Sequence, residues 1–194
     1  MLRTTGKVLG ALAACAVVAV CAVQVTKSTA QSLNKGGPEA KGNASPIYGI
    51  TIPAGYRDWR LISLSQLAGN KVKQLRAQLG NDIAIEAYRA GKLPFPDGAI
   101  IAALHWTEAG SDENNNVLAK GFPGAGFQSF VPGAAVNVQF MVKDSKKYAA
   151  TGGWGFADFT NGQPGNEALH KTCFACHEPA KDRDFVFTRY SPTP

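Results

Sequence analysis

Sulfur and imidazole are scarce in this chain: its 194 residues hold four cysteines, two methionines and three histidines. Cys15 and Cys21 fall in an apolar N-terminal stretch, so the rest of the chain carries one pair, Cys173 and Cys176. A disulfide-dense scaffold is excluded, and so is a structural zinc site, which needs a second pair of ligands. Acid is missing before Glu39, while Arg3, Lys7 and Lys27 supply half of the formal charge of +6. The excess left to the remainder is too small to point to nucleic acid. Internal repeats are missing, and no apolar run reaches the roughly 20 residues that span a bilayer.

The longest such run, Val8–Val23, follows the basic Arg3 and Lys7 and precedes the small residues Ser28-Thr29-Ala30. That order reads as a secretory signal peptide over residues 1–30, cleaved before Gln31, with an uncleaved anchor as the alternative. Leu12-Ala13-Ala14-Cys15 also resembles a lipoprotein cleavage box, behind a shorter apolar run. Residues 31–45 are polar, Gly-rich and unpatterned, a flexible linker. Residues 46–194 then form one domain with room for a core. The 21 glycines and 11 prolines of the chain predict many turns.

Within that domain the remaining cysteines stand in Lys171-Thr172-Cys173-Phe174-Ala175-Cys176-His177-Glu178-Pro179. Cys-x-x-Cys-His is the attachment signature of a c-type haem. Cysteines three apart lie on one side of a single turn, so both sulfurs reach one porphyrin edge, and the next residue turns its imidazole under the ring. A thioredoxin-type Cys-x-x-Cys would open a helix early in a βαβ unit, and no such unit precedes this one. The motif predicts one haem c, held covalently by Cys173 and Cys176, with His177 as the iron ligand. Export agrees with it, because c-type haem is normally joined to protein on the outer side of an energy-transducing membrane. The periplasm is the expected compartment.

Read in order, the domain alternates short strands with turns. Tyr56 and Trp59 read as packing residues before a strand, Arg60–Ser65, with Leu61 and Leu64 inward. Gly69–Arg76 is polar and basic and receives no element. Asn81 caps a helix over Asp82–Ala90, with Ile83, Ala87 and Ala90 at helical spacing and Gly91 at its end. The turn Pro94–Gly98 leads into a central strand, Ala99–Glu108, on which His105 reads as a hydrogen-bonded structural residue. Ser111–Asn116 reads as a polar loop, and Gly121–Gly133 as a glycine-rich loop whose phenylalanines pack on something large and flat. Ala135–Lys143 alternates most clearly: Val136, Val138, Phe140 and Val142 on one face, with Asn137, Gln139, Met141 and Lys143 on a polar one. Methionine is a known second axial haem ligand, but Met141 falls on that polar register. Asp144–Ala150 is a short helix or turn, and Gly153–Phe159 a further strand. Pro164–Lys171 leads into a helix that presents the motif, with His170 hydrogen-bonding rather than reaching iron. Asp182–Tyr190 returns aromatic residues to the core.

A C-terminal Cys-x-x-Cys-His behind mostly strand-like segments resembles the cytochrome P-460 and cytochrome c′-beta family. The resemblance runs through Ile52-Pro53-Ala54-Gly55-Tyr56-Arg57-Asp58-Trp59, Leu79-Gly80-Asn81-Asp82, Phe95-Pro96-Asp97-Gly98, Gly153-Trp154-Gly155-Phe156 and Cys173 to Pro179. It implies an α+β fold, an antiparallel β-sheet with flanking helices, usually as a homodimer. It also implies a five-coordinate haem with His177 proximal and an open distal face. In that family, P-460 members oxidise hydroxylamine and c′-beta members bind nitric oxide or similar small gases. The former carry a lysine joined to the porphyrin from the strand after the Pro-Asp-Gly turn. Here that strand contains no lysine, and Ala103 stands at the equivalent position. The departure favours gas binding over a hydroxylamine- or nitric oxide-oxidising enzyme, with an acidic redox protein as a further partner. A six-coordinate electron-transfer cytochrome using Met141 or His105 is the remaining alternative. The expected distal wall is apolar, from Ile100 to Leu104 with Ala103 at its centre and Phe140 added by the neighbouring strand. No carboxylate falls between Ala99 and Leu104, and Glu108, Glu113 and Glu167 are the acids that could approach the site in three dimensions.

Overall fold

Six strands follow one another in chain order as a single antiparallel meander. They are β1 (Arg60–Ala68), β2 (Lys73–Gly80), β3 (Ile100–Gly110), β4 (Phe130–Lys143), β5 (Trp154–Thr160) and the short β6 (Gln163–Pro164). Helix α1 (Asp82–Arg89) joins β2 to β3, α2 (Asp112–Gly121) joins β3 to β4, and α3 (Glu167–His177) follows β6. This is the α+β architecture, an antiparallel sheet with flanking helices, that the resemblance implied. The computed structural model describes residues 43–192, so the segments read as signal peptide and most of the linker lie outside the described residues. Ser45, the last residue assigned to the linker, is buried, and its Oγ accepts the Ile50 N–H at 3.1 Å. No helix among the described residues is long and apolar enough to cross a membrane.

Side-chain alternation sorts the sheet into two faces. Phe140 shares one face with its register partners Ala102 and Ala157. It is fully buried there, edge-on to Tyr56 at 5.1 Å and to Phe159 at 6.0 Å. The alternate register of β4 was read as polar, yet Met141 and Lys143 on it are buried. The second face is covered as well, by α3 and the chain that follows it, so β4 has no solvent side at this end.

Several boundaries move for physical reasons. Strand β1 runs on to Ala68 and contains a bulge: Leu61 pairs with Leu79 and Ser63 with Gln78, leaving Ile62 as the extra residue. The bulge reverses the alternation, so Ile62 is fully buried and Leu64, expected inside, is 69% exposed. Strand β2 went unassigned because Gln74, Arg76 and Gln78 alternate with Leu75, Ala77 and Leu79 and give it a polar look. Asn81 caps α1 as expected, accepting the Ala84 N–H at 3.0 Å. Its inner face is Ala84, Ile85 and Ala87 rather than Ile83, which stays exposed. Helix and strand meet there through small residues: a Cβ on Gly80 would stand 2.9 Å from the Ile62 side chain and 3.2 Å from Ala84.

The stretch read as a polar loop at Ser111–Asn116 opens α2. Ser111 Oγ accepts the Asn114 N–H at 3.3 Å, and Asp112 and Glu113 sit favourably in the first turn. Asn115 Oδ1 accepts the Ser129 N–H at 2.6 Å, so these asparagines tie the helix to the start of β4. Phe122, Phe127 and Phe130 are more than half exposed, and Phe122 packs with Phe127 at 5.6 Å. Nothing large and flat meets them among the described residues.

Candidate functional site

Helix α3 carries the whole Cys-x-x-Cys-His motif, as expected of the helix that Pro164–Lys171 leads into. Asn166 starts it by accepting the Leu169 N–H at 2.9 Å. His170, one turn before Cys173, is fully buried. Its Nδ1–H donates to the Asn166 carbonyl at 2.8 Å, and its Nε2 accepts the Asp158 N–H of β5 at 3.2 Å. Both ring nitrogens are therefore committed, and His170 is a strut between α3 and the sheet.

A cavity of about 590 Å³ lies between α3, the segment Val186–Arg189 and the sheet face bearing Ile101, Ala103, Met141 and Phe156. Cys173, Cys176 and His177 all line it. The His177 ring stands 5.0 Å from both Phe156 and Phe187. Its Nδ1–H donates to the Phe185 carbonyl at 2.8 Å. Nε2 has no hydrogen-bond partner among the described residues, which leaves it available to a metal. Burial lowers the His177 pKa, and the bond to Phe185 opposes that. As a free thiol, Cys173 is pushed up to about 11 by burial, helped by Asp158 and Cys176. Two thiols one turn apart, an uncommitted imidazole nitrogen and an apolar floor fit a haem.

The wall facing this helix differs from the apolar one expected. Ala103 lines it, flanked in register by Gln78 on β2 and Gln139 on β4. Phe140 borders the cavity, but its ring belongs to the opposite face of the sheet. Ser63, Arg76, Gln78, His105, Gln139 and Asp158 add polar groups to a lining whose larger part is apolar. Asp158 is buried and accepts from Asn137 Nδ2 at 2.5 Å and Gln139 Nε2 at 2.8 Å. With its amide nitrogen so committed, Asn137 turns Oδ1 to His105, whose Nδ1–H donates across 2.7 Å. Burial first, then the nearby Arg76 guanidinium, lowers the His105 pKa. The neutral ring keeps Nε2 as an acceptor. Gln78 donates to Ser65 Oγ at 3.1 Å, while its Oε1 is buried without a partner. The Arg76 fork is held by Gln74 Oε1 at 2.7 and 3.1 Å.

None of the three glutamates that could approach the site lines the cavity. Glu108 bonds to Gln66, Glu113 is exposed on α2, and Glu167 pairs with Lys171 at 2.7 Å on the surface. The acid in the site is Asp158, which the sequence reading passed over. A signal existed: it is the one charge inside the otherwise apolar strand Trp154–Phe159. The reading of His105 as a hydrogen-bonded residue agrees with its place in this network.

An antiparallel meander with a Cys-x-x-Cys-His helix laid over a cofactor-sized cavity defines a sheet-based haem protein rather than a helical-bundle cytochrome. The profile of one family, Cytochrome P460, matches residues 53–188, most of the chain. The chain belongs to the cytochrome P460 family, which implies that it binds haem. Among curated proteins none matches the chain.

Proposed function

We propose that the protein is an exported mono-haem c-type cytochrome that binds nitric oxide or a similar small nitrogen-oxide ligand in the periplasm. Cys173 and Cys176 would attach the haem and His177 would bind its iron, with no second protein ligand, which would leave the iron open to a small molecule. The supporting observation is the cavity wall where Ala103 stands between Gln78 and Gln139, with no lysine among the described residues lining the cavity. Haem in this site supplies an iron centre that takes one small ligand. The protein's own part is positional. Phe185 orients His177, His170 fixes α3 on β5, and Ala103 leaves room on the wall. Met141 is the register partner of Phe156, whose ring touches His177, so it sits on the proximal histidine's side and argues against a methionine sixth ligand.

One observation favours the enzymatic reading as the second choice. Hydroxylamine oxidation requires a proton acceptor near the substrate, and Asp158 supplies a carboxyl group in the cavity, where Gln78 Oε1, unpartnered among the described residues, adds a hydrogen-bond acceptor.

The ferrous absorption spectrum with and without carbon monoxide tests the proposal. A high-spin spectrum with an ordinary Soret position that shifts on adding the gas is expected. Sharp low-spin bands indifferent to carbon monoxide would overturn it in favour of electron transfer. Steady hydroxylamine consumption with an artificial electron acceptor would move the second reading to first. On a denaturing gel, haem stain should follow the wild-type chain and be lost from Cys173→Ala/Cys176→Ala.

A further inference from the structure

Lys143 and Asp184 form an ion pair with Nζ 2.7 and 2.8 Å from the two carboxylate oxygens, and their side chains are only 5% and 8% exposed. Such a pair is weak evidence for stability, because desolvating both charges offsets most of their attraction. Its surroundings indicate another use. Asp184 Oδ2 also accepts the Phe95 N–H at 2.8 Å, and Lys143 Nζ donates to the Gly152 carbonyl at 3.2 Å and lies 4.9 Å from the Trp154 ring. The pair thus joins the end of β4, the turn before β3 and the chain after α3.

The residues at the far end of this clamp are strained. Asp184 and Phe185 are consecutive non-glycine residues with left-handed backbones, φ 53° and 65°. Side-chain-bearing residues keep that conformation only where the surroundings over-determine it. Phe185 is held from two sides: its N–H donates to Ala180 O at 2.9 Å, and its ring lies over Gly152, where a Cβ would come within 2.2 Å of it. The carbonyl this kink presents is the one that accepts the His177 Nδ1–H.

We infer that the buried Lys143–Asp184 pair positions the Phe185 carbonyl, and through it sets the orientation and donor strength of His177. This rests on His177 being the iron ligand. A carbonyl on Nδ1–H fixes the tautomer and raises the basicity of Nε2, so loosening the kink makes the imidazole a weaker donor. Lys143→Met/Asp184→Asn removes both charges while keeping volume and an acceptor for Phe95.

In that holoprotein the ferrous iron–histidine stretching band in the resonance Raman spectrum should fall or split. The midpoint potential should rise, changing the oxidised-to-reduced ratio at fixed poise by roughly 3- to 10-fold, the worth of one net hydrogen bond. A folded, haem-loaded variant with the wild-type band and potential overturns the proposal. If the double variant does not fold, the wild-type holoprotein decides: the His177 Nδ1 proton should exchange with deuterated water as slowly as buried amides, and rapid exchange overturns it. A wild-type protein without any iron–histidine band overturns the ligand assignment and this proposal together. A wild-type band that the variant leaves unmoved overturns this proposal alone.

Discussion

Asp158 receives two amide donors, from Asn137 and Gln139, and Asn137 in turn orders His105. The cavity wall therefore offers acceptors to a ligand that brings N–H or O–H groups, while an apolar gas makes little use of them. Asp158→Asn should leave carbon monoxide association within about twofold. It should weaken hydroxylamine binding by about tenfold or more, since hydrogen bonds to charged groups are worth roughly 1.5–3 kcal/mol; equal losses for both ligands would show a distorted pocket instead. Phe140→Ala should cost about 3–5 kcal/mol in denaturant unfolding without speeding gas entry, because the ring packs on Tyr56 and Phe159. Ala103→Phe, by contrast, should slow association measured by stopped-flow mixing, as Ala103 lines the cavity. His105 gives a pH signature. Its folded pKa lies below the unfolded value of about 6.5, so the folded state binds fewer protons there. Stability is lost as pH falls from about 6.5 toward the lowered value. His105→Gln should flatten that part of the acid limb, read as urea midpoints at several pH values.

Helix α3 is held by the buried His170 as well as by the packing of Cys173 and Phe174 on the core. His170 satisfies the Asp158 N–H inside the sheet edge and ties that strand to the turn preceding the haem motif. His170→Ala leaves a buried N–H unpaired, which costs about 1–3 kcal/mol, and it removes side-chain packing as well. The expected result is a lower melting temperature and reduced haem retention during maturation; an unaltered melting temperature would remove the strut from the account. Element α2 carries a different lesson. Its Ser-Asp-Glu-Asn-Asn-Asn composition suits a loop as well as a capped helix start, and its few apolar residues leave no periodicity to separate the two. The asparagine contacts to Ser129 decide between them, and they depend on β4 coming back alongside.

At the scale of the whole molecule, the expected export and assembly can each be measured. Mass spectrometry of the purified holoprotein should give a chain beginning at Gln31 plus one haem. An intact Met1 terminus would indicate the anchored alternative. Light scattering should give twice the mature chain mass, in line with the homodimer that the resemblance implies, and a single chain mass would contradict it.

Local rules were enough to read the haem motif, the Asn81 cap and the alternation of β4, because each depends on residues a few positions apart. Alternation, however, says only that a strand has two unlike faces. It could not show that both faces of β4 are covered, or that the polar register of Met141 and Gln139 looks into the cavity while Phe140 looks away. The bulge at Ile62 shifts β1 by one residue, and its place appears only in the pairing with β2. Asp158 meets Asn137 and Gln139 across strands, and Lys143 meets Asp184 across 41 residues of chain. Their hydrogen bonds form only after the sheet has closed loops between them, so no window of sequence contains them. The motif pointed to haem, and the folding of distant polar residues onto one face decided what surrounds the motif.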